Sequence, residues 1–99
     1  MNEPLMDTAY TIAREQYNAA ELTAFTMLKD RFSEAGFDPT HQAILRGMKL
    51  FISAFGLAEK VWAGSIPHEK ALQSLRTQFN DFPEATVDRA FSEAYRDTR

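Results

Sequence analysis

Two histidines, fourteen carboxylates and eleven lysines and arginines are the groups from which this 99-residue chain could build a reactive or metal-binding site, for it has no cysteine. His41 and His68 stand far apart in the chain, and neither has a second ligand at metal spacing on one helix face beyond Glu69 beside His68. A core-boundary or solvated imidazole is expected at each, with no metal and no cofactor. The carboxylates, Asp81 and Glu84 among them, suit helix caps and solvated faces, so no acid/base pair is expected from their spacing. Phosphate cradles and nucleophile elbows need clustered glycines, whereas Gly36, Gly47, Gly56 and Gly64 are scattered singly. Without a thiol there is neither a disulfide framework nor a thiolate nucleophile. Catalysis is not expected.

A histidine on a long helix resembles the arrangement in histidine phosphotransfer domains, small helical bundles in which a lysine and a glycine follow the histidine at about three and four residues. Here those positions are Ile44 and Leu45, while Arg46 and Gly47 come two residues later. A cation five residues on is rotated by about 140° from the imidazole, too far to neutralise a phosphoryl group on it. The likeness ends at size and helix content.

The elements that would carry these residues are helical. No segment alternates with β-branched enrichment, and no Asn-Gly or Asp-Gly hairpin pair occurs. Ala9, Ile12, Ala13, Tyr17, Ala20, Ala24, Leu28 and Phe32 recur at helical spacing over residues 4–35. A capping box at Asn18 and Glu21 would divide that region in two, but Ala19 and Ala20 favour a continuous or gently kinked helix. Gly36 is placed for a left-handed stop, with Phe37 folding back onto Phe32 or Ser33. Asp38-Pro39 opens the next helix as cap and first residue, and that helix runs to about Ala63. Gly64-Ser65-Ile66-Pro67 then stops it and supplies Ser65 as the next cap, for a helix to Phe79 with Ala71, Leu72, Leu75 and Phe79 inward. Asp81-Phe82-Pro83-Glu84 repeats the logic for a last helix burying Val87, Ala90, Phe91, Ala94 and Tyr95. The expectation is an all-α chain, a compact four- or five-helix bundle in one domain over residues 1–99, with a long central apolar helix.

That central helix carries the candidate surfaces. On a helical wheel, His41, Ile44, Leu45, Met48, Phe51, Ile52, Phe55 and Trp62 fill one broad face. Ala43, Gly47, Leu50, Ala54, Ala58 and Val61 form a second face of smaller residues, suited to close backbone approach by another helix or by a second copy across a two-fold axis. Gln42, Arg46, Lys49, Ser53 and Lys60, with Gly56 among them, make the polar stripe. The helix is apolar over about two thirds of its circumference, more than the roughly 100° a rim helix needs, so it must be covered on two sides.

The formal charge of −3 conceals an uneven distribution. Residues 1–39 carry seven acids and three bases, residues 40–76 five bases and two acids, and residues 77–99 five acids and three bases. The basic middle pairs either with acids of the first region, such as Glu15 or Glu21, or with an acidic partner. An acidic pI of about 5.3 disfavours nucleic acid. The long stretch between Asp38 and Glu59 is interrupted by Arg46 and Lys49, so no membrane span is expected. Nor does the acidic N-terminus make a secretory signal; the cytoplasm is the default location.

These features point to a small non-enzymatic regulator or adaptor of the inhibitor, antitoxin or accessory-subunit kind. It would bind another protein, one with an acidic surface, through Gln42, Arg46, Lys49, Ser53 and Lys60, either as a monomer or as a homodimer through the small-residue face. The alternatives are a DNA-binding helical regulator reading through Glu69, Lys70, Gln73, Arg76 and Gln78, a phosphotransfer-like domain, and a ligand-binding bundle with Trp62, Tyr17 and His41 around a pocket.

Overall fold

A computed structural model describes residues 3–16 and 21–98. The chain is all-α, with five helices in order: α1 (Glu3–Glu15), α2 (Glu21–Arg31), α3 (Phe37–Trp62), α4 (His68–Gln78) and α5 (Glu84–Asp97). No strand occurs among the described residues. The chain divides into two compact units, Met1–Lys49 and Leu50–Arg99, so the 26-residue α3 contributes its first half to one and its second half to the other.

In the first unit α1 packs against α2. Leu5, Met6, Ala9, Tyr10, Ile12 and Ala13 of α1, Ala24 and Leu28 of α2, and Thr40, Ala43 and Ile44 of α3 are buried, which is the helical spacing read from the sequence. The region 4–35 is two helices and not one, because α1 ends at Glu15 and α2 begins at Glu21. The capping residue expected at Asn18 lies outside the described residues, as does Tyr17.

Gly36 does not act as the left-handed stop. Its φ is not positive, and α2 has already ended at Arg31. The Lys29 ammonium donates to the carbonyls of Ser33 (3.0 Å) and Ala35, which lie in the connection that follows α2. Gly36 serves α3 instead. Its carbonyl accepts from the Thr40 N–H at 3.2 Å and from the buried Thr40 Oγ1 at 2.9 Å, so α3 begins at Phe37, ahead of the expected Asp38-Pro39 start. Phe37 packs against Phe25 at 4.9 Å and stacks on His41 at 5.8 Å.

The left-handed stop is at Gly64, with φ +77°. The Ser65 N–H bonds the Lys60 carbonyl (2.9 Å) and the Gly64 N–H bonds the Val61 carbonyl (3.0 Å), the paired bonds of a Schellman turn that closes α3.

In the second unit α4 packs against α5. Ala71, Leu75, Phe79, Phe82, Val87, Ala90, Phe91 and Ala94 are buried together with Thr86, while Leu72 and Tyr95 are half-buried. The caps differ from those expected. Pro67 precedes α4 and Pro83 precedes α5, each extended and with no side-chain cap bond, so neither Ser65 nor Asp81 is the N-cap. The first helical bonds run to the carbonyls of these prolines: Ala71 N–H to Pro67 (3.0 Å), and Thr86 and Val87 N–H to Pro83 (3.0 and 3.2 Å).

Candidate functional surface

The small-residue face decides how α3 is oriented. Ala43, Gly47, Leu50, Ala54 and Ala58 are all buried within the chain, and Val61 at the helix end is half-buried. At Gly47 the reason is visible. A Cβ built there would lie 2.9 Å from the Ala9 carbonyl oxygen, 3.0 Å from its carbon and 3.1 Å from the Tyr10 nitrogen, so the α1 backbone sits against bare glycine. The face considered for a second copy is therefore occupied inside the chain.

With that side inward, the opposite side faces solvent. Taking Lys49 as the reference on the wheel, Gly47 and Ala54 lie at about 140–160° and Leu45 and Ile52 at about −40 to −60°. Leu45 is 36% exposed and Ile52 55%, although hydropathy grouped both with the broad apolar face. The outward strip runs Gln42, Leu45, Lys49, Ile52, Gly56, Lys60, all exposed. Arg46 and Ser53, on the edge nearer the small-residue face, are half-buried, and Arg46 has its own interaction partner. Thus Gln42, Lys49 and Lys60 of the polar stripe stand on the open surface, and two large apolar side chains stand between them. A Cβ at Gly56 would meet nothing within 4 Å, so the strip is open there down to the helix backbone.

The remaining chemistry-bearing residues are drawn into packing. The half-buried His41 lies against the rings of Phe37 and Phe25, the latter at 6.3 Å. His68, at the start of α4, sets its ring edge-on to Phe91 (5.0 Å) and Tyr95 (4.9 Å). Trp62 stacks on Tyr95 at 4.4 Å and 15°, and its indole N–H donates to the Tyr95 carbonyl at 2.9 Å. Of the residues that might have lined a ligand pocket, His41 and Trp62 are each engaged in this way. Open depressions of about 450 and 370 Å³ occur elsewhere, one at Arg31–Ala35 and one lined by Glu69, Leu72, Gln73 and Arg76. No group of three or more metal-ligating side chains comes together among the described residues.

Arg76, counted among the polar residues of α4, is clamped onto α5. Its Nε and terminal nitrogen donate to the two Asp88 oxygens at 2.8 and 2.9 Å, and Glu84 stands 3.5 Å away. Donation to Asp88 is the main reason the guanidinium holds its proton more tightly than an ordinary arginine; desolvation works against it, and the charges of Asp88 and Glu84 add to it. Nothing in the spacing of Arg76 and Asp88, twelve residues apart on different helices, announces this pair.

No helix among the described residues is long and apolar enough to cross a membrane. No protein-family model, curated protein or solved structure matches the chain.

Proposed function

We propose that the chain is a small, non-catalytic protein-binding regulator or adaptor of the cytoplasm, and that it meets its partner through the outward strip of α3. The observation that supports this reading is the pair Leu45 and Ile52, one heptad apart on the solvent side of a single helix with Lys49 between them. Isolated exposed aliphatics are ordinary. Two on one helix, with an open glycine beside them and Lys49, Glu59 and Lys60 at the margin, offer an anchor with a polar rim. Rings and cations that might have served other chemistry are engaged within the fold: His41 and Trp62 by aromatic neighbours, Arg76 by Asp88.

The test uses two surface variants. Ile52→Lys and Lys49→Glu are expected to keep the helical circular dichroism and thermal midpoint of the parent chain, since both positions are exposed. Each is expected to lose the proteins that immobilised wild-type chain retains from its native lysate. Retention of the same proteins by all three chains, or of none by any, would refute the reading.

A further inference from the structure

The C-terminal end of α3, within the second unit, presents an aromatic face beside a carboxylate. We infer that Trp62 and Glu59 together receive an arginine side chain of another protein, its guanidinium flat on the indole and paired with the carboxylate. This rests on the reading of the chain as a protein-binding module, and not on Leu45 and Ile52.

The indole is held on one face and open on the other. It stacks on Tyr95 at 4.4 Å and its N–H is bonded to the Tyr95 carbonyl at 2.9 Å. Tyr95 is braced in turn by Phe91 at 6.0 Å and by the T-shaped contact with His68 at 4.9 Å. Fixed in this way, Trp62 is still 44% exposed. Arg96, next to Tyr95 in the chain, is paired with Asp97 at 3.3 Å. A free indole face is electron-rich and attracts a cation.

Glu59 supplies the counter-charge. It precedes Trp62 by three residues, so the two lie on one side of α3, about 60° apart on the wheel. The Glu59 carboxylate is exposed and has no ion-pair partner among the described residues. The helix itself offers none, because the positions one turn away are Phe55 and Gly56 before it and Trp62 and Ala63 after it. Lys60 lies about 160° round the helix from Trp62, with its charge turned away from the indole.

Shape selects among cations. A quaternary ammonium is recognised by a cage of several rings, whereas Trp62 offers one flat face. A lysine ammonium is a compact, strongly hydrated point charge that gains little from a plane. A guanidinium is planar and weakly hydrated, and it stacks on a ring while its edge donates to a carboxylate. Its methylene stem can lie along the half-buried Phe55, one turn before Glu59 on the same side.

Blocked tripeptides with a central arginine, lysine or citrulline test this on the whole chain at constant ionic strength. Citrulline keeps the plane and removes the charge. Trp62 is the single tryptophan, so its emission reports the site, and amide resonances locate it. The arginine peptide is expected to bind about two- to fivefold more tightly than either of the others, with the largest shifts at Glu59, Trp62 and Ala63. Glu59→Gln is expected to remove the preference for arginine over citrulline, and Trp62→Leu to abolish arginine binding read at the Glu59 and Ala63 amides. Glu59 is exposed, so its variant tests the site whether or not Trp62→Leu folds. Equal binding of the three peptides, binding of none, a preference for lysine, shifts centred away from Trp62, or an unchanged preference in Glu59→Gln would each overturn the inference. So would a dimeric mass by light scattering that Glu59→Gln returns to the monomer, since a second copy would then fill the site. If Ile52→Lys loses the retained proteins while no peptide prefers Trp62, the chain still binds a protein through the strip and only the arginine site is wrong.

Discussion

Gly47 and Gly56 are a matched pair on one helix, and the same substitution is expected to act on them with opposite sign. Replacing a mid-helix glycine by alanine removes backbone freedom from the unfolded chain and favours the folded one by about 0.5–1 kcal/mol. At Gly56 nothing stands within 4 Å of the new methyl group, so Gly56→Ala is expected to stabilise by that amount. At Gly47 the methyl would be 2.9–3.1 Å from the Ala9 carbonyl and the Tyr10 nitrogen. These are backbone atoms within α1, which cannot rotate aside as a flexible side chain would, so α1 and this part of α3 must separate. Overpacking of this kind costs about 1–3 kcal/mol. It outweighs the propensity gain, and Gly47→Ala is expected to destabilise by about 1–2 kcal/mol. Because the propensity effect is common to both variants, the difference between them isolates the cost of the close approach. Urea unfolding, with the denaturant slope checked for constancy, measures both. If the two variants stabilise alike, the glycine-mediated contact between α1 and α3 is not there and the assignment of the buried face is wrong.

Other substitutions probe the second unit and the helix ends. Arg76→Met is expected to lower the thermal midpoint by unclamping α4 from α5. Since folding raises the proton affinity of Arg76, its contribution is complete at neutral pH and is lost only in strongly alkaline solution, so the midpoint difference between variant and parent should be flat from pH 7 to 9. Trp62→Phe keeps a ring on Tyr95 but removes the indole donor, and is expected to cost about 0.5–1 kcal/mol in urea unfolding. Gly64→Ala forces a side chain into the left-handed region at φ +77° and is expected to cost about 1 kcal/mol by the same measurement.

Legibility in the sequence followed the range of the interactions involved. Periodicity is local, so the helices over residues 37–62, 68–78 and 84–97 were readable, and so were the inward positions Ala71, Leu75, Val87, Ala90 and Phe91. Gly36 and Gly64 look alike as helix-ending glycines, but α2 ends before Gly36, whose carbonyl accepts from Thr40, and the left-handed turn is at Gly64. At Asp81 and Ser65 the capping residue type was present, yet the extended prolines Pro67 and Pro83 took the position. The outward strip was half legible. Lys49 and Lys60 were found by polarity, whereas Leu45 and Ile52 were missed because hydropathy gives no orientation for a helix that is apolar most of the way round. The signal lay in Ala43, Gly47, Ala54 and Ala58: small residues at that spacing invite the closest approach, and the side opposite them is centred near Leu45.

The orientation of α3 is the claim on which the proposed surface depends, and the absence of native cysteine gives a clean way to read it. Single substitutions Ile52→Cys and Ala54→Cys place one thiol on each side of the helix, and their modification rates in the folded protein can be compared with the same chains in urea. The account predicts that Ile52→Cys reacts at close to its unfolded rate while Ala54→Cys reacts only as fast as the fold opens. Comparable rates at the two positions, or the reverse order, would contradict it.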